Sequence, residues 1–126
     1  MLQKLFALLL FASIHAMAAT PAELLAGYVA QAGQSASAAK GEAFFKASHG
    51  QEWQCTSCHG KSPMTGGRHA STDKAIEPLA PAANAKRFTD SAKVEKWFRR
   101  NCKDVLAREC SAAEKADVLA WLISVR

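Results

Sequence analysis

Five consecutive residues in the middle of the chain, Cys55 to His59, read Cys-Thr-Ser-Cys-His. Two thiols at this spacing can bond covalently to the two vinyl groups of one haem, and the adjacent histidine can then bind the iron from the proximal face. So short a match can be accidental, and four cysteines with a histidine can also form a zinc site. Zinc ribbons use two short C-x-x-C knuckles, however, whereas Cys102 and Cys110 are separated by seven residues. The motif therefore predicts one covalent haem c, held by Cys55 and Cys58, with His59 as an iron ligand.

The usual second iron ligand of cytochromes c, a methionine, is not well placed in this chain. After the N-terminal segment the sequence holds a single methionine, Met64, which lies five residues beyond His59. So short a loop does not readily carry the chain round the haem edge to the opposite face, and we interpret Met64 as loop filler. Two further histidines are candidates. We interpret His49 as an exposed helix end and His69 as a solvated side chain in a Gly- and Ser-rich loop.

Asn101 is the remaining candidate for the distal face of the haem. It stands well downstream of the motif and just before the last predicted helix, which is the usual neighbourhood of a distal ligand. It also continues a helical face, at i, i+3, i+4 and i+7, with Val94, Trp97 and Phe98. That face is expected to be apolar and could line the haem. Asparagine is also a common helix C-cap, and spacing alone leaves both roles open, with the cap favoured.

The elements that must position these residues are predicted to be helices. The first begins at Thr20, where Pro21 suits the first helical position and Glu23 can reach back to the cap. Three more helices are predicted, over residues 38–48, over residues 90–100, and from the Ser-Ala-Ala-Glu capping box at residue 111 onward.

A long loop over residues 60–87 connects the motif to the later helices, and it contains three prolines and a Gly-Gly pair. So long a loop is unusual inside a compact domain, but it makes sense if it wraps a large non-protein group. No segment alternates convincingly as a strand. The sequence therefore predicts an all-α domain with helices around one covalent haem and a long haem-wrapping loop, in an order that resembles class I cytochromes c.

The N-terminal segment has the pattern of a signal peptide. Lys4 supplies a positive start, residues 5–14 form an apolar run, and residues 16–18 supply the small side chains that a signal peptidase requires. The apolar run is too short to span a bilayer, and an N-terminal core helix or a membrane anchor is the alternative. We predict cleavage after residue 18 or 19, which leaves a single domain over 19–126. Export to a periplasm would place the cysteines in an oxidising compartment, where a disulfide persists.

The charge of the chain limits its partners. The formal net charge is +5, and removal of Lys4 would leave +4. No basic stripe interleaved with aromatic residues is evident in the linear sequence, so nucleic acid is not an expected partner. A modest positive charge is compatible with docking on an acidic protein surface. No later stretch is long or apolar enough for stable membrane insertion.

Four stretches of the chain, CTSCHG, IEPLAP, KRFTDSAKVEKWFRRNC and RECSAAEKADVLAWL, resemble the sphaeroides haem protein group, a small group of oxygen-binding monohaem cytochromes c. The resemblance covers essentially the whole chain after the signal segment. It implies that Asn101 is the sixth ligand of the oxidised iron and that a disulfide between Cys102 and Cys110 lies beside it. A related cytochrome has histidine in place of this asparagine, so Asn101 indicates the oxygen-binding branch.

The same resemblance implies a function. Asn101 would leave the iron on reduction and open the ferrous haem to O2, CO or NO. Electrons would come from a dihaem cytochrome c, linked to a membrane cytochrome b, or from another periplasmic donor. Enzymatic oxygen reduction or nitric oxide conversion is compatible with this scheme. The disulfide would either control where Asn101 can move or act as a plain staple. The alternatives are a six-coordinate electron-transfer cytochrome c without ligand chemistry and a non-haem disulfide or zinc module.

Further residues are expected around the haem. A backbone carbonyl within residues 76–79 should accept a hydrogen bond from the ring N–H of His59 and fix its orientation. Arg68, Arg87 and Trp97 are candidate partners of the haem propionates. Each of these three could instead be an ordinary surface or core residue.

Overall fold

The computed structural model of the protein describes residues 18–126. The predicted signal peptide, residues 1–18, lies outside the described residues except for its last position. The all-α prediction is confirmed, and within residues 18–126 no helix is long and apolar enough to cross a membrane. The elements are α1 (Pro21–Ala32), α2 (Ala38–Lys46), α3 (Cys55–His59), β1 (Gly67–Arg68), β2 (Ala75–Ile76), α4 (Ser91–Leu106) and α5 (Ala112–Ser124).

Helices α1 and α5 begin at the capping boxes that the sequence predicts. Before α1, the Thr20 hydroxyl accepts a hydrogen bond from the Glu23 N–H (3.2 Å), and the Glu23 carboxylate accepts one from the Thr20 N–H (2.7 Å). Ser111 and Glu114 make the same pair before α5, at 3.2 and 2.8 Å. Gly33 ends α1 in the left-handed conformation, with φ at 66°, which glycine adopts without steric cost.

Helix α4 extends further than the sequence predicts. Asp90 caps its N-terminus by accepting a 3.0 Å hydrogen bond from the Lys93 N–H, but the helix continues to Leu106 instead of ending at residue 100. It ends at Ala107, which takes a left-handed conformation (φ 57°) although it is not glycine. Asn101 is therefore an interior residue of the helix, and its interpretation as a C-cap is wrong.

Three short elements lie between α2 and α4, and the two strands among them fall within the predicted loop 60–87. Helix α3 carries the cysteine motif, and the antiparallel strands β1 and β2 pair Gly67 with Ile76 and Arg68 with Ala75. The expectation that no strand is present is wrong for these four residues, which are too few to show an alternating pattern. Helix α2 ends at Lys46, two residues before the predicted boundary.

Helix α5 is the centre of the fold and packs against both α1 and α2. Gly41 of α2 lies so close to the backbone carbonyl of Asp117 in α5 that a Cβ at position 41 would overlap it. The Asp117 carboxylate also accepts a 2.7 Å hydrogen bond from the Ser37 N–H at the start of α2. These contacts fix α2, and with it the approach to the cysteine motif, against α5.

The core consists of two clusters of buried side chains on either side of α5. Phe98 of α4 and Phe88, just before α4, pack against both clusters. The packing of α4 against the core therefore depends on the side chains of α5. The first cluster contains Tyr28, Val94, Ala116 and Leu119, and the second contains Phe45, Val118, Trp121 and Leu122.

A polar network joins α1, α4 and α5 beside the first cluster. The Tyr28 hydroxyl donates a 2.5 Å hydrogen bond to the Glu95 carboxylate, whose other oxygen lies 2.9 Å from the Lys115 ammonium. The Lys115 nitrogen also lies 5.5 Å from the centre of the Tyr28 ring, and the Phe98 ring meets that ring edge-on at 5.8 Å. Burial raises the pKa of Tyr28, and the charge of Glu95 adds to this effect.

Candidate functional site

Helix α3 presents the three chemical groups of its motif on one side. Because Cys55, Cys58 and His59 stand at i, i+3 and i+4, their side chains share a helical face. Both thiols are half-buried and neither is part of a disulfide. The start of the helix is held by a 3.1 Å hydrogen bond from the Gln54 N–H to the Ser57 hydroxyl. Two thiols and an imidazole on one face are the groups that covalent haem attachment requires.

The His59 imidazole is held neutral. Burial, reinforced by the positive charge of Arg87 and by electrostatic interaction with His69, lowers its pKa to about 4, and the neutral imidazole is the form that binds metals. The ring lies 6.0 Å from that of Phe45, which sequence reasoning did not connect to the site. Its Nδ1 atom is buried and has no hydrogen-bond partner among the described residues. The prediction that a carbonyl within residues 76–79 accepts its hydrogen bond is therefore wrong. Buried polar atoms without a partner are rare, and an unpaired imidazole nitrogen at this position is compatible with a histidine that binds a cofactor.

The loop 60–87 packs back onto the motif through the β1–β2 hairpin. Gly67 lies so close to the carbonyl oxygen of Cys58 that a Cβ at this position would overlap it. The Ala70 N–H lies 3.3 Å from the Cys58 sulfur. Sequence reasoning missed both contacts, although the Gly66-Gly67 pair was an available signal of close backbone approach. This part of the loop thus packs directly against the motif, and enclosure of a bound group by the whole loop stays a prediction.

The two arginines expected near the propionates differ in their surroundings. Arg87 is half-buried, and its guanidinium donates hydrogen bonds to the carbonyls of Pro78 (2.8 Å) and Glu77 (2.7 Å). Arg68 is exposed and lies 3.3 Å from the Asp73 carboxylate. Arg87 is close enough to influence the pKa of His59, so it is the better placed of the two, and contact with a propionate stays a prediction for both.

Among the described residues, the two histidines outside the motif, His49 and His69, are half-buried and so less exposed than the sequence predicts. The Nε2 atom of His49 lies 2.9 Å from the Phe44 carbonyl oxygen, and the two rings are 4.5 Å apart. The Nδ1 atom of His69 lies 3.3 Å from the backbone N–H groups of Ser71 and Thr72, which can only donate, so Nδ1 accepts. One ring nitrogen of each histidine is thus engaged by the protein, and their interpretation as non-ligands stays a prediction.

Asn101 lies in the interior of α4 and is half-buried. Among the described residues, none forms a hydrogen bond with its side-chain amide. On the same helical face, Val94 is buried, Phe98 packs against the core, and Trp97 is 44% exposed. The predicted face of α4 is therefore present, and Asn101 is the polar residue at its C-terminal end.

A disulfide joins Cys102, the residue after Asn101, to Cys110. Both cysteines are buried, and their Cα atoms are 5.6 Å apart. The bridge closes the segment that links α4 to α5. It therefore fixes the last turn and a half of α4, next to Asn101, to the start of α5.

Comparisons with known proteins agree with this geometry. Residues 31–122 match the model of a family described as a domain of unknown function, DUF1924. Over 107 residues the chain is 49% identical to the cytochrome c-type protein SHP of Cereibacter sphaeroides, and the match covers 82% of each chain. The chain belongs to the SHP family.

Solved structures place the SHP family in the same fold. The structure of oxidised SHP, an oxygen-binding cytochrome c, matches the chain with a TM-score of 0.81 at 47% identity, covering 86% of this chain and 99% of that one. The solution structure of cytochrome c'' from Methylophilus methylotrophus matches with a TM-score of 0.72 at 35% identity, covering 83% of this chain and 93% of that one. The resemblance inferred from the sequence is therefore confirmed.

Membership of the SHP family also identifies the cofactor as one covalent haem c, so the protein is a monohaem cytochrome c. The residues present fit this group. Cys55 and Cys58 are outside any disulfide, and His59 is neutral, buried and unpaired at Nδ1.

Proposed function

We propose that the protein is a periplasmic cytochrome c in which Asn101 binds the ferric iron and leaves on reduction. Cys55 and Cys58 hold the haem through thioether bonds, and His59 is the proximal ligand. Departure of Asn101 opens the ferrous haem to O2, CO or NO. The haem supplies an iron that alternates between ferric and ferrous states and accepts diatomic ligands at an open position.

The observation that carries this proposal is the setting of Asn101 on α4. Asn101 is half-buried and lies in the interior of the helix, and no described residue hydrogen-bonds with its amide. No group in the described part of the chain competes for this amide, so its oxygen is available to a bound iron. Asn101 continues the face of Trp97 and Phe98, which is where a distal ligand is expected.

The amide oxygen suits a ligand that responds to the oxidation state. It is a hard, neutral donor, and it interacts more strongly with ferric iron, which carries the larger positive charge. Ferrous iron is softer and gains less from a carbonyl dipole, so reduction would weaken the bond to Asn101. The Asn101 amide also carries an NH2 group, which could donate a hydrogen bond to a diatomic ligand.

The Cys102–Cys110 disulfide supports this role by fixing the backbone directly after Asn101. In the chain-entropy description, a bridge across so short a segment stabilises a protein by roughly 2–3 kcal/mol. A stiff backbone limits the positions that the Asn101 side chain can reach. The bridge therefore restricts both the bound and the released arrangement of the ligand.

Two relatives support the same proposal. SHP is an oxygen-binding cytochrome c, and the solution structure of cytochrome c'' addresses haem-ligand detachment. Both proteins share the fold of this chain and are more than 30% identical to it. Ligand loss and oxygen binding therefore both occur on this scaffold.

The proposal includes export and an electron donor. Residues 1–18 are a signal peptide, cleaved after residue 18 or 19, and residues 19–126 form the mature domain in the periplasm. A dihaem cytochrome c or another periplasmic donor supplies the electron.

The decisive experiment is the optical spectrum of the purified holoprotein, oxidised and reduced, with and without CO. We expect a low-spin ferric spectrum and a high-spin ferrous spectrum that shifts with CO. Asn101→Ala should keep the haem attached but take up azide or cyanide faster in the ferric state, because the position is open or holds water. The matched control is Asn84→Ala, the other asparagine of the chain, whose side chain bonds to Glu77 in the loop. It should behave like the parent.

Other outcomes would decide against the proposal. A ferric spectrum of Asn101→Ala identical to that of the parent would exclude Asn101 as the ligand, and His69 would be the next candidate. A low-spin ferrous spectrum that CO does not change would indicate a plain electron-transfer cytochrome. We further expect Asn101→His to give a low-spin, bis-histidine iron that keeps its distal ligand more tightly.

A further inference from the structure

Helix α4 concentrates the positive charge of the protein. It carries five of the sixteen basic residues of the chain and two of its eleven acidic residues. Four of the basic residues stand at spacings of three, four and three, which places them along one face of the helix. All four are exposed. This α4 cationic face consists of Lys93, Lys96, Arg100 and Lys103.

The cations of this face are not neutralised by the protein itself. Among the described residues, none of the four forms an ion pair with a carboxylate. Arg99, on the neighbouring side of the helix, does pair with Glu109, at 3.8 Å. Asp104 lies close to the face in the helical projection and reduces its net charge to about +3. The face is not evident in the linear sequence, because two or three other residues separate its members at each step.

The α4 cationic face adjoins the site. The Trp97 ring lies between two of its cations, with the Lys96 nitrogen 5.9 Å and the Arg100 guanidinium carbon 5.4 Å from the ring centre. Asn101 directly follows Arg100 and lies one turn after Trp97. A partner bound to this face would therefore contact the helix that carries the proposed distal ligand.

We infer that the α4 cationic face is the docking surface for a redox protein with an acidic patch, which reduces the haem along the side that carries Asn101. The inference rests on the proposed function and specifies where its electron donor binds. One electron passes from the reduced cofactor of the partner to the ferric iron, and the partner is oxidised by one electron. Cations without an ion-pair partner attract the acidic surface of a partner protein, and they raise the rate at which the two proteins meet.

An anionic membrane is the weaker candidate for this surface. Helices that lie on membranes insert an apolar face between the lipids. Three apolar residues of α4, Val94, Phe98 and Val105, face the core of the protein, and Trp97 is the large apolar side chain of α4 that is exposed. One exposed ring does not make an apolar face, and insertion of the other apolar residues would require unfolding this packing. Binding of lipids would therefore rest on surface electrostatics and Trp97 alone. A protein partner needs no such insertion, because complementary charges on the two protein surfaces are enough to bring them together.

The test measures the second-order rate at which reduced flavodoxin, an acidic flavoprotein, reduces the ferric holoprotein in a stopped-flow instrument. The face variant combines Lys93→Glu, Lys96→Glu and Lys103→Glu. The matched control reverses three other exposed lysines with the same change in net charge: Lys40→Glu, Lys74→Glu and Lys86→Glu. Arg100 is left in place because it contacts Trp97 and precedes Asn101.

At low ionic strength the face variant should be reduced about tenfold more slowly than the parent, and its rate should no longer fall as salt is added. The control variant should stay within about threefold of the parent and keep the salt dependence. Equal losses in both variants would show that net charge, not the face, sets the rate, and would overturn the inference. An unchanged flavodoxin rate together with lost binding to phosphatidylglycerol vesicles would overturn it in favour of a membrane.

The Soret band and the ferrous CO spectrum of each variant separate this inference from the proposed function. They should match those of the parent, which shows that the haem site is intact. If the parent itself fails to bind CO while the face variant is still selectively slowed, the ligand chemistry is wrong and the docking surface stands. If CO binds as expected but the face and control variants are slowed equally, the docking surface alone is wrong.

Discussion

Replacing Tyr28 by phenylalanine tests how α4 is held in place. The Tyr28 side chain is 3% exposed, and its hydroxyl donates to the Glu95 carboxylate at 2.5 Å. Hydrogen bonds to charged groups stabilise proteins by about 1.5–3 kcal/mol. The variant keeps the ring contact with Phe98 but loses this bond, while Glu95 keeps Lys115 and gains contact with water. We therefore expect a loss at the lower end, about 1–2 kcal/mol in the free energy of unfolding.

The assay is guanidinium-induced unfolding of the holoprotein, followed by far-ultraviolet circular dichroism. The control is a double-mutant cycle with Glu95→Gln, which removes the charge and keeps the size of the side chain. If Tyr28 acts through Glu95, the two substitutions should be coupled by about 1 kcal/mol. A double variant whose loss equals the sum of the single losses, within about 0.3–0.5 kcal/mol, would refute this reasoning.

The same contribution should depend on pH. Burial alone would raise the pKa of Glu95, but hydrogen bonds from Tyr28 and Lys115, with the charges of Lys115 and Arg99, outweigh burial and lower it below its ordinary value of 4.5. A carboxylate with a lowered pKa in the folded state contributes stability that is complete above its unfolded pKa. That stability is lost as the pH falls through the folded pKa. The difference between the parent and Tyr28→Phe should therefore be constant at neutral pH and shrink below pH 4.5.

Three further predictions concern the cysteines and the end of α4. Replacing Cys55 and Cys58 by alanine should abolish retention of the pigment under denaturing conditions, whereas the parent should show the added mass of one haem by mass spectrometry; pigment retained by the variant would contradict the attachment. Without a reductant, neither Cys102 nor Cys110 should react with a thiol-alkylating reagent even after unfolding, and their joint replacement by serine should lower the free energy of unfolding by roughly 2–3 kcal/mol. Alkylation of both in the parent would show that the bridge is absent. Ala107→Gly should raise the free energy of unfolding by about 0.5–1 kcal/mol, because the left-handed conformation costs alanine about 1–2 kcal/mol and the greater entropy of unfolded glycine offsets part of the gain. A measured loss would show that the conformation at this position is not strained.

Sequence reasoning succeeded where the signal is local. The helix starts at Thr20 and Ser111 are capping boxes contained within four residues each, and both are found in the structure. The end of α4 was missed because its left-handed residue is Ala107, which carries no glycine signal. The asparagine at position 101 then offered a false C-cap six residues too early.

For the candidate site, too, the local features could be predicted from the sequence and the contacts made by folding could not. Covalent attachment of haem depends on the spacing within five consecutive residues, so Cys55 to His59 could be recognised from the sequence. The surroundings of His59 depend on Phe45 and on the hairpin around Gly67, which reach the motif only after folding. A two-residue strand has no periodicity to detect. These contacts therefore could not be predicted without the fold.

Helix α4 is attached to its neighbours near both of its ends. Near its start, Glu95 is tied to α1 and α5, and near its end the Cys102–Cys110 bridge ties it to α5. Asn101 lies between these two attachments, so sliding or tilting of the whole helix would break the contacts of Glu95 or the disulfide. If Asn101 is the ligand proposed above, its exchange would require only rotation about its own side-chain bonds and no shift of the helix, which would take microseconds to milliseconds. The helix itself would keep the same course in the ferric and ferrous protein, and opening of the iron would be limited by the electron's arrival.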